Sequence, residues 1–186
     1  MWRYSFDIVR LTDETDSCYT NIKNTDLKES KEFIRGEHMK SILIYASTHH
    51  GNTQKVVEAI SKDCIIEVVD ATKVHEKDLK DYDLIGFASG IFFTKFSEQV
   101  LNFARVNLPV NKDVFFIATA GNPMNGNFNS IAAVAKDKKC NERGRFQCKG
   151  FDTYGPFKLI GGIQKGHPDE TELKEAVEFF KRLIEE

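Results

Sequence analysis

Several patterns are scarce or missing in this chain, and each scarcity excludes a class of protein. The four cysteines, Cys18, Cys64, Cys140 and Cys148, form no C-x-x-C pair and share no zinc-like spacing with histidine. No metal site is therefore expected, and the thiols read as reduced, in a cytoplasmic protein. No run approaches the roughly 18 apolar residues of a membrane span. The opening stretch Met1 to Asp7 lacks the continuous apolar core of a signal peptide. Charge of one sign is lacking too: 26 Lys and Arg against 28 Asp and Glu leave a net charge of −2. That balance offers neither the footprint of a nucleic-acid binder nor a basic face for acidic lipid. Tryptophan occurs once, against 15 phenylalanines, so core and aromatic site surfaces rest on Phe.

What is present is an ordinary globular mixture, 41% apolar and 29% charged over 186 residues, enough for one domain with an appendage. Residues 1–38 form the appendage. They are polar and rich in Asp, Glu, Lys and Thr, with a short helix conceivable from Asp26 to Ile34. The expected behaviour is a loosely packed or disordered extension, with a partner-binding or dimer-forming arm as the functional alternative. Met39 stands directly before the first strong strand and reads as an alternative start.

From Ser41 onward, strands and helices alternate. Ile42 to Ala46 is a continuous apolar run, the mark of a strand buried on both faces. Asn52 to Asp63 has helical spacing, followed by strands at Ile65–Val69 and Leu84–Ala88. Lys73 to Lys80 offers at most a turn or two of helix. A helix is predicted over Phe96–Arg105, a strand over Val114–Ala118, a helix over Phe128–Lys139 and a fifth strand over Phe146–Phe151. The last helix, Pro168–Glu185, sets Leu173, Val177, Phe180 and Ile184 on one face. This alternation predicts an α/β fold: a doubly wound, five-stranded parallel sheet in the order 2-1-3-4-5 with helices on both faces. Such sheets bind ligands beyond the carboxyl ends of their strands. The loops after Ala46, Ala88 and Ala118 are therefore the places to look.

The first loop, Ser47-Thr48-His49-His50-Gly51-Asn52-Thr53, has three hydroxyls, an amide, a glycine and no acid, and it opens a helix. Those are the requirements of a phosphate site at a helix N-terminus. The chain has no G-x-x-x-x-G-K-[ST] here, hence no lysine for a γ-phosphate, and no G-x-G-x-x-G for a pyrophosphate. A terminal monoester phosphate fits best. The stretch Ile42 to Gln54 resembles the first strand and phosphate loop of the flavodoxin family, and the resemblance extends in overall pattern over Met39–Glu186. It implies that Ser47, Thr48, Asn52 and Thr53 hold the phosphate of a bound FMN, with Gly51 keeping the backbone close. His49 and His50 depart from the family's smaller residues. Either they add positive charge when protonated, or one faces solvent and the other packs locally.

The same resemblance assigns the flavin ring to two further loops. Ser89-Gly90-Ile91-Phe92-Phe93 would supply an adaptable glycine and a covering side chain, Phe92 before Phe93, the other Phe being core. Gly90 would let a carbonyl turn to the ring and tune its potential. Thr119-Ala120-Gly121-Asn122 would contact the pyrimidine edge through backbone groups, unless it is an ordinary turn. Tyr154 to Lys158 reads equally as a lid and as packing, and Cys148 as a small buried apolar residue.

The implied function is a nucleotide-binding flavoprotein of electron transport, a flavodoxin-type carrier serving a redox partner protein or small acceptor. The near-neutral charge departs from the acidic character of such carriers. A second reading is therefore an oxidoreductase of the same fold, a flavin-dependent reductase or oxidase acting on a quinone, a porphyrin-like compound or NAD(P)H. A third is a cofactor-free module that binds proteins through the same loops. A phosphoacceptor domain is disfavoured, since Ser47-Thr48 and Ala88-Ser89 stand where acids would be needed.

Overall fold

The computed structural model describes residues 39–185; the extension over residues 1–38 and its suggested helix lie outside the described residues. Strands β1 (Ser41–Ala46), β2 (Glu67–Asp70), β3 (Leu84–Phe92), β5 (Asp113–Ala120) and β6 (Asn141–Lys149) form a parallel sheet in the order β2-β1-β3-β5-β6. A two-residue strand, β4 (Lys95–Phe96), folds back antiparallel on the end of β3. With β4 set aside, the order is the one the sequence predicts. The helices are α1 (Asn52–Asp63), α2 (Glu98–Asn107), α3 (Asn129–Asp137) and α4 (Glu170–Glu185).

Alternate side chains of each strand feed two separate cores. On one face Leu43, Leu84, Phe115 and Ile117 pack with Val56, Val57 and Ile60 of α1 and Ala176, Val177 and Phe180 of α4. On the other, Ile42, Ile44, Phe87 and Phe116 pack with Val100, Leu101 and Ala104 of α2 and Ile131 and Val134 of α3. Period-2 alternation between two covered faces is what makes the middles of β1 and β5 continuously apolar. Gly86, in the middle of β3, is required by packing: a Cβ there would lie 2.2 Å from the Phe115 ring and 2.7 Å from Leu43.

The structure corrects several predicted boundaries. The third strand does not stop at Ala88 but runs to Phe92: pairing of Ser89 with Ala118 and of Gly90 with Thr119 continues the ladder, and Ile91 and Phe92 then pair with β4. Residues 89–92 are thus strand rather than loop. Phe96 belongs to β4, so α2 begins at Glu98. Residues 73–80 hold no helix. The edge strand β6 starts at Asn141, five residues before the predicted Phe146, since its polar side chains face solvent and hide the periodicity. Residues 125–128 form a 3-10 turn before α3.

The entry to α4 is closed by a polar network. Glu172 accepts the Asp169 and Lys149 N–H groups, each at 3.0 Å, and meets His167 Nδ1 at 2.7 Å. Burial alone would raise the Glu172 carboxyl, but these hydrogen bonds outweigh it and hold the group below its ordinary range. His167, Asp169 and Glu172 lie close enough to suggest a metal site. Their oxygens, however, are engaged in capping the helix.

Candidate functional site

A cavity opens beyond the carboxyl ends of β1, β3 and β5, enclosing about 640 Å³ of empty space, part of it open to solvent. That size is within the range of small-molecule sites. Twelve of the sixteen residues expected at a ligand line it.

The first wall is the turn into α1, contributing Ser47, Thr48, His49, Asn52 and Thr53. Gly51 precedes the helix in the left-handed conformation, φ 68°; Ser47 Oγ accepts the Gln54 N–H of the first turn at 3.2 Å, and no acid occupies that turn. Such an end presents the positive pole of the helix dipole, flanked here by hydroxyl side chains. Asn52 Nδ2 donates to the Phe151 carbonyl at 2.8 Å. Because a carbonyl can only accept, that bond fixes the amide's orientation and leaves Asn52 Oδ1 buried without a partner. A buried acceptor in this state costs about 1–3 kcal/mol, which a hydroxyl-bearing ligand would offset. Thr53 Oγ1 and Thr119 Oγ1 are buried and 2.9 Å apart, tying α1 to β5.

The second wall comes from β3 and its turn: Gly90, Ile91, Phe92 and Phe93. Gly90 has ordinary strand geometry, and a Cβ there would meet Phe92 at 3.4 Å, a normal contact. Phe92 lies 5.7 Å from the His49 ring. Phe93 and Thr94 form the two-residue turn to Lys95 with φ of 49° and 63°, and Phe93 is 77% exposed. Two non-glycine residues at positive φ, one of them β-branched, make this a strained hairpin.

Thr119, Ala120 and Gly121 form the third wall. Gly150, Phe151, Asp152 and Tyr154, beyond β6, form a fourth. The fifth strand predicted over Phe146–Phe151 includes Gly150 and Phe151, which instead follow the end of β6 at Lys149, and Asp152 is not among the expected site residues. The signal was available: β6 also ends on the carboxyl side of the sheet. Asp152 puts a carboxylate in the cavity, with Oδ1 accepting the Tyr154 N–H at 2.7 Å. Phe93 and Tyr154 meet edge to face at 5.2 Å, joining the second wall to the fourth.

Four expected residues stand off the cavity surface. His50 Nε2 is 2.8 Å from Thr153 Oγ1 and its ring lies 4.4 Å from Phe151, a latch between the first and fourth walls. Gly51 shapes the helix entry. Ser89 Oγ donates to the Gly90 carbonyl at 2.6 Å and accepts the Ser97 N–H at 2.8 Å. The Asn122 carbonyl accepts from Asn127 Nδ2 at 3.3 Å. Cys148 is buried beside this end of the sheet, and burial pushes its thiol up to about 12, as suits a packing residue.

The chain matches known proteins on the same terms. A flavodoxin domain model covers residues 42–149. An uncharacterized protein of Methanocaldococcus jannaschii is 38% identical over 148 residues, spanning 78% of this chain and 99% of that protein. Among solved structures, a flavodoxin from the domain Archaea superposes with a TM-score of 0.51 at 20% identity, over 78% of this chain and 99% of its own. Oxidised flavodoxin 2 from Bacillus cereus gives 0.56 at 14% identity, over 78% and 98%. The structural likenesses show the fold, while the domain match and the archaeal relative establish kinship: this chain belongs to the flavodoxin family.

Proposed function

We propose that the cavity binds FMN and that the protein is a flavodoxin-type electron carrier. The observation that carries this reading is the pairing of an acid-free, hydroxyl-flanked helix start with Asn52 Oδ1, buried and unpartnered, in a cavity with aromatic side chains on two of its other walls. Ser47, Thr48, Thr53 and the N–H groups at the start of α1 would hold the phosphate. Asn52 Oδ1 would accept from a ribityl hydroxyl. Phe92, Phe93 and Tyr154 would shield the ring from water, and backbone groups of Thr119 to Gly121 would face its polar edge. Bound FMN would supply one- and two-electron transfer; the chain binds, orients and excludes solvent. Asp152 sets a negative charge in the same space, which disfavours added electrons.

The test is titration of the purified chain with FMN, followed by visible absorption and quenching of flavin fluorescence. Saturable one-to-one uptake supports the reading, and failure to take up FMN overturns it.

One observation favours the oxidoreductase reading as a second. A groove adjoins the cavity across Phe92 and Phe93, lined also by Thr48, Lys95 and Ser97, and offers a small substrate access to the same aromatic wall. Rapid bleaching of the flavin by NAD(P)H alone would support it; a flavin reduced only through other redox proteins would count against it.

A further inference from the structure

We propose that the rim of this cavity is a docking surface for an acidic redox protein, the reverse of the sign expected from the acidic carriers the sequence resembles. The proposal rests on the electron-carrier reading and names its partner by charge.

The surface is built on residues 151–167. The Phe151 N–H donates to the His167 carbonyl at 3.2 Å, and Asp152 and Ile163 exchange two backbone hydrogen bonds of 3.0 and 2.8 Å. Residues 153–162 are thereby closed at the base into a lobe, with a 3-10 turn over Gly155–Ile160. The lobe turns apolar side chains outward: Leu159 is 90% exposed and Ile160 72%, with Tyr154 half exposed. Tyr154 also lines the cavity and touches the outward-facing Phe93 of the strained hairpin. Exposed apolar side chains on a closed loop that also lends Tyr154 to a ligand cavity mark an interaction site rather than scattered surface residues.

Charge selects the partner. Lys158 of the lobe, Lys165 just beyond its base and Lys95 close to Phe93 in the chain are exposed and make no ion pair among the described residues. Two acids of this region are engaged: Glu98 pairs with Arg105 at 3.3 Å, and Asp152 lines the cavity with Oδ1 bonded to the Tyr154 N–H. Residues 39–186 carry twenty basic and twenty acidic side chains, so the chain's body supplies no net field to oppose this local one. Exposed apolar side chains interspersed with unpaired lysines fit a surface on which apolar groups alternate with carboxylates.

The experiment uses the full chain and two probes of opposite charge: a plant-type [2Fe–2S] ferredoxin, which is acidic, and cytochrome c, which is basic. Binding is measured by calorimetry at about 50 mM and 500 mM salt. The expected result is association with the acidic probe that weakens at least tenfold at the higher salt. The triple variant Lys95→Glu, Lys158→Glu, Lys165→Glu should lose it. The pair Leu159→Ser, Ile160→Ser should weaken it at both salt concentrations. FMN titration of each variant is the control for folding and for the cofactor reading. Variants that still take up FMN but no longer bind the probe support the surface. A wild-type chain that binds the probe yet takes up no FMN removes the carrier reading alone. Preference for cytochrome c, or indifference to the lysine reversals, overturns the proposal. A photo-crosslinking side chain at position 159 separates the other occupants. Capture of the acidic probe supports the proposal; capture of a second copy or of residues 1–38, in place of the probe, overturns it.

Discussion

At the residue scale, the site turns on a few polar atoms rather than on the number of contacts. Asn52 is the sharpest case, since its amide joins two walls through Nδ2 and leaves Oδ1 to be satisfied. Asn52→Ala should weaken FMN binding by about tenfold or more, the worth of one to two buried hydrogen bonds. Fluorescence titration measures it, and an unchanged Kd would remove Asn52 from the site. Asp152→Asn keeps the bond to Tyr154 but deletes the charge. With it the flavin midpoint potential should move to more positive values, and the shift should shrink as salt rises. Spectroelectrochemical titration of the loaded protein checks both. The sequence showed Asn52 but hid Asp152. A phosphate loop announces itself by local composition, whereas a carboxylate brought in from beyond β6 shares the cavity only after the chain has folded.

At the scale of elements, the strand–helix alternation was legible because both faces of the sheet are covered. β1, β3 and β5 are apolar on both faces through their middles, and α4 buries Val177 and Phe180 of its predicted stripe together with Ala176, Phe179 and Leu183, while Ile184 stays exposed. The β3–β4 hairpin was not legible. Phe93-Thr94 contradicts the Asn-Gly chemistry such turns favour, so local propensity pointed to a loop, while pairing with β5 as far as Gly90 and with β4 at Ile91 and Phe92 carried the strand on. The strain makes a testable trade. Replacing Phe93-Thr94 with Asn-Gly should raise stability by about 1 kcal/mol and loosen FMN binding, since Phe93 lines the cavity. Thermal melts with and without FMN separate the two effects. β6 was misjudged at both ends for a different reason: an edge strand with one solvated side loses the apolar run that marks the centre of the sheet. In the central strand, Gly86→Ala should destabilise by several kcal/mol, because neither Phe115 nor Leu43 can move away within a packed core. Chemical denaturation measures this loss.

For the molecule as a whole, pH is the simplest probe of what the polar networks contribute. Hydrogen bonds from Lys77 and Tyr82 hold Glu67 below its ordinary range. At Asp70 and Glu172 burial works the other way but is outweighed by the bonds they accept. A carboxyl depressed in the folded state stabilises above its unfolded pKa, and that stability is lost as pH falls through the folded value. Stability should thus be flat from about pH 7 to pH 5 and decline below about pH 4.5, near the ordinary carboxylate range. Glu172→Gln should cost about 1–2 kcal/mol at neutral pH and make the acid decline shallower, as denaturation curves across pH would record. The lobe over residues 153–162 has a different kind of consequence. Because its ends are joined by the Asp152–Ile163 bridge, its outer residues can be exchanged with little demand on the sheet beneath. Mutation there can rewrite which molecules this protein meets while its interior stays as it is, so the lobe is where descendants of this chain are freest to diverge.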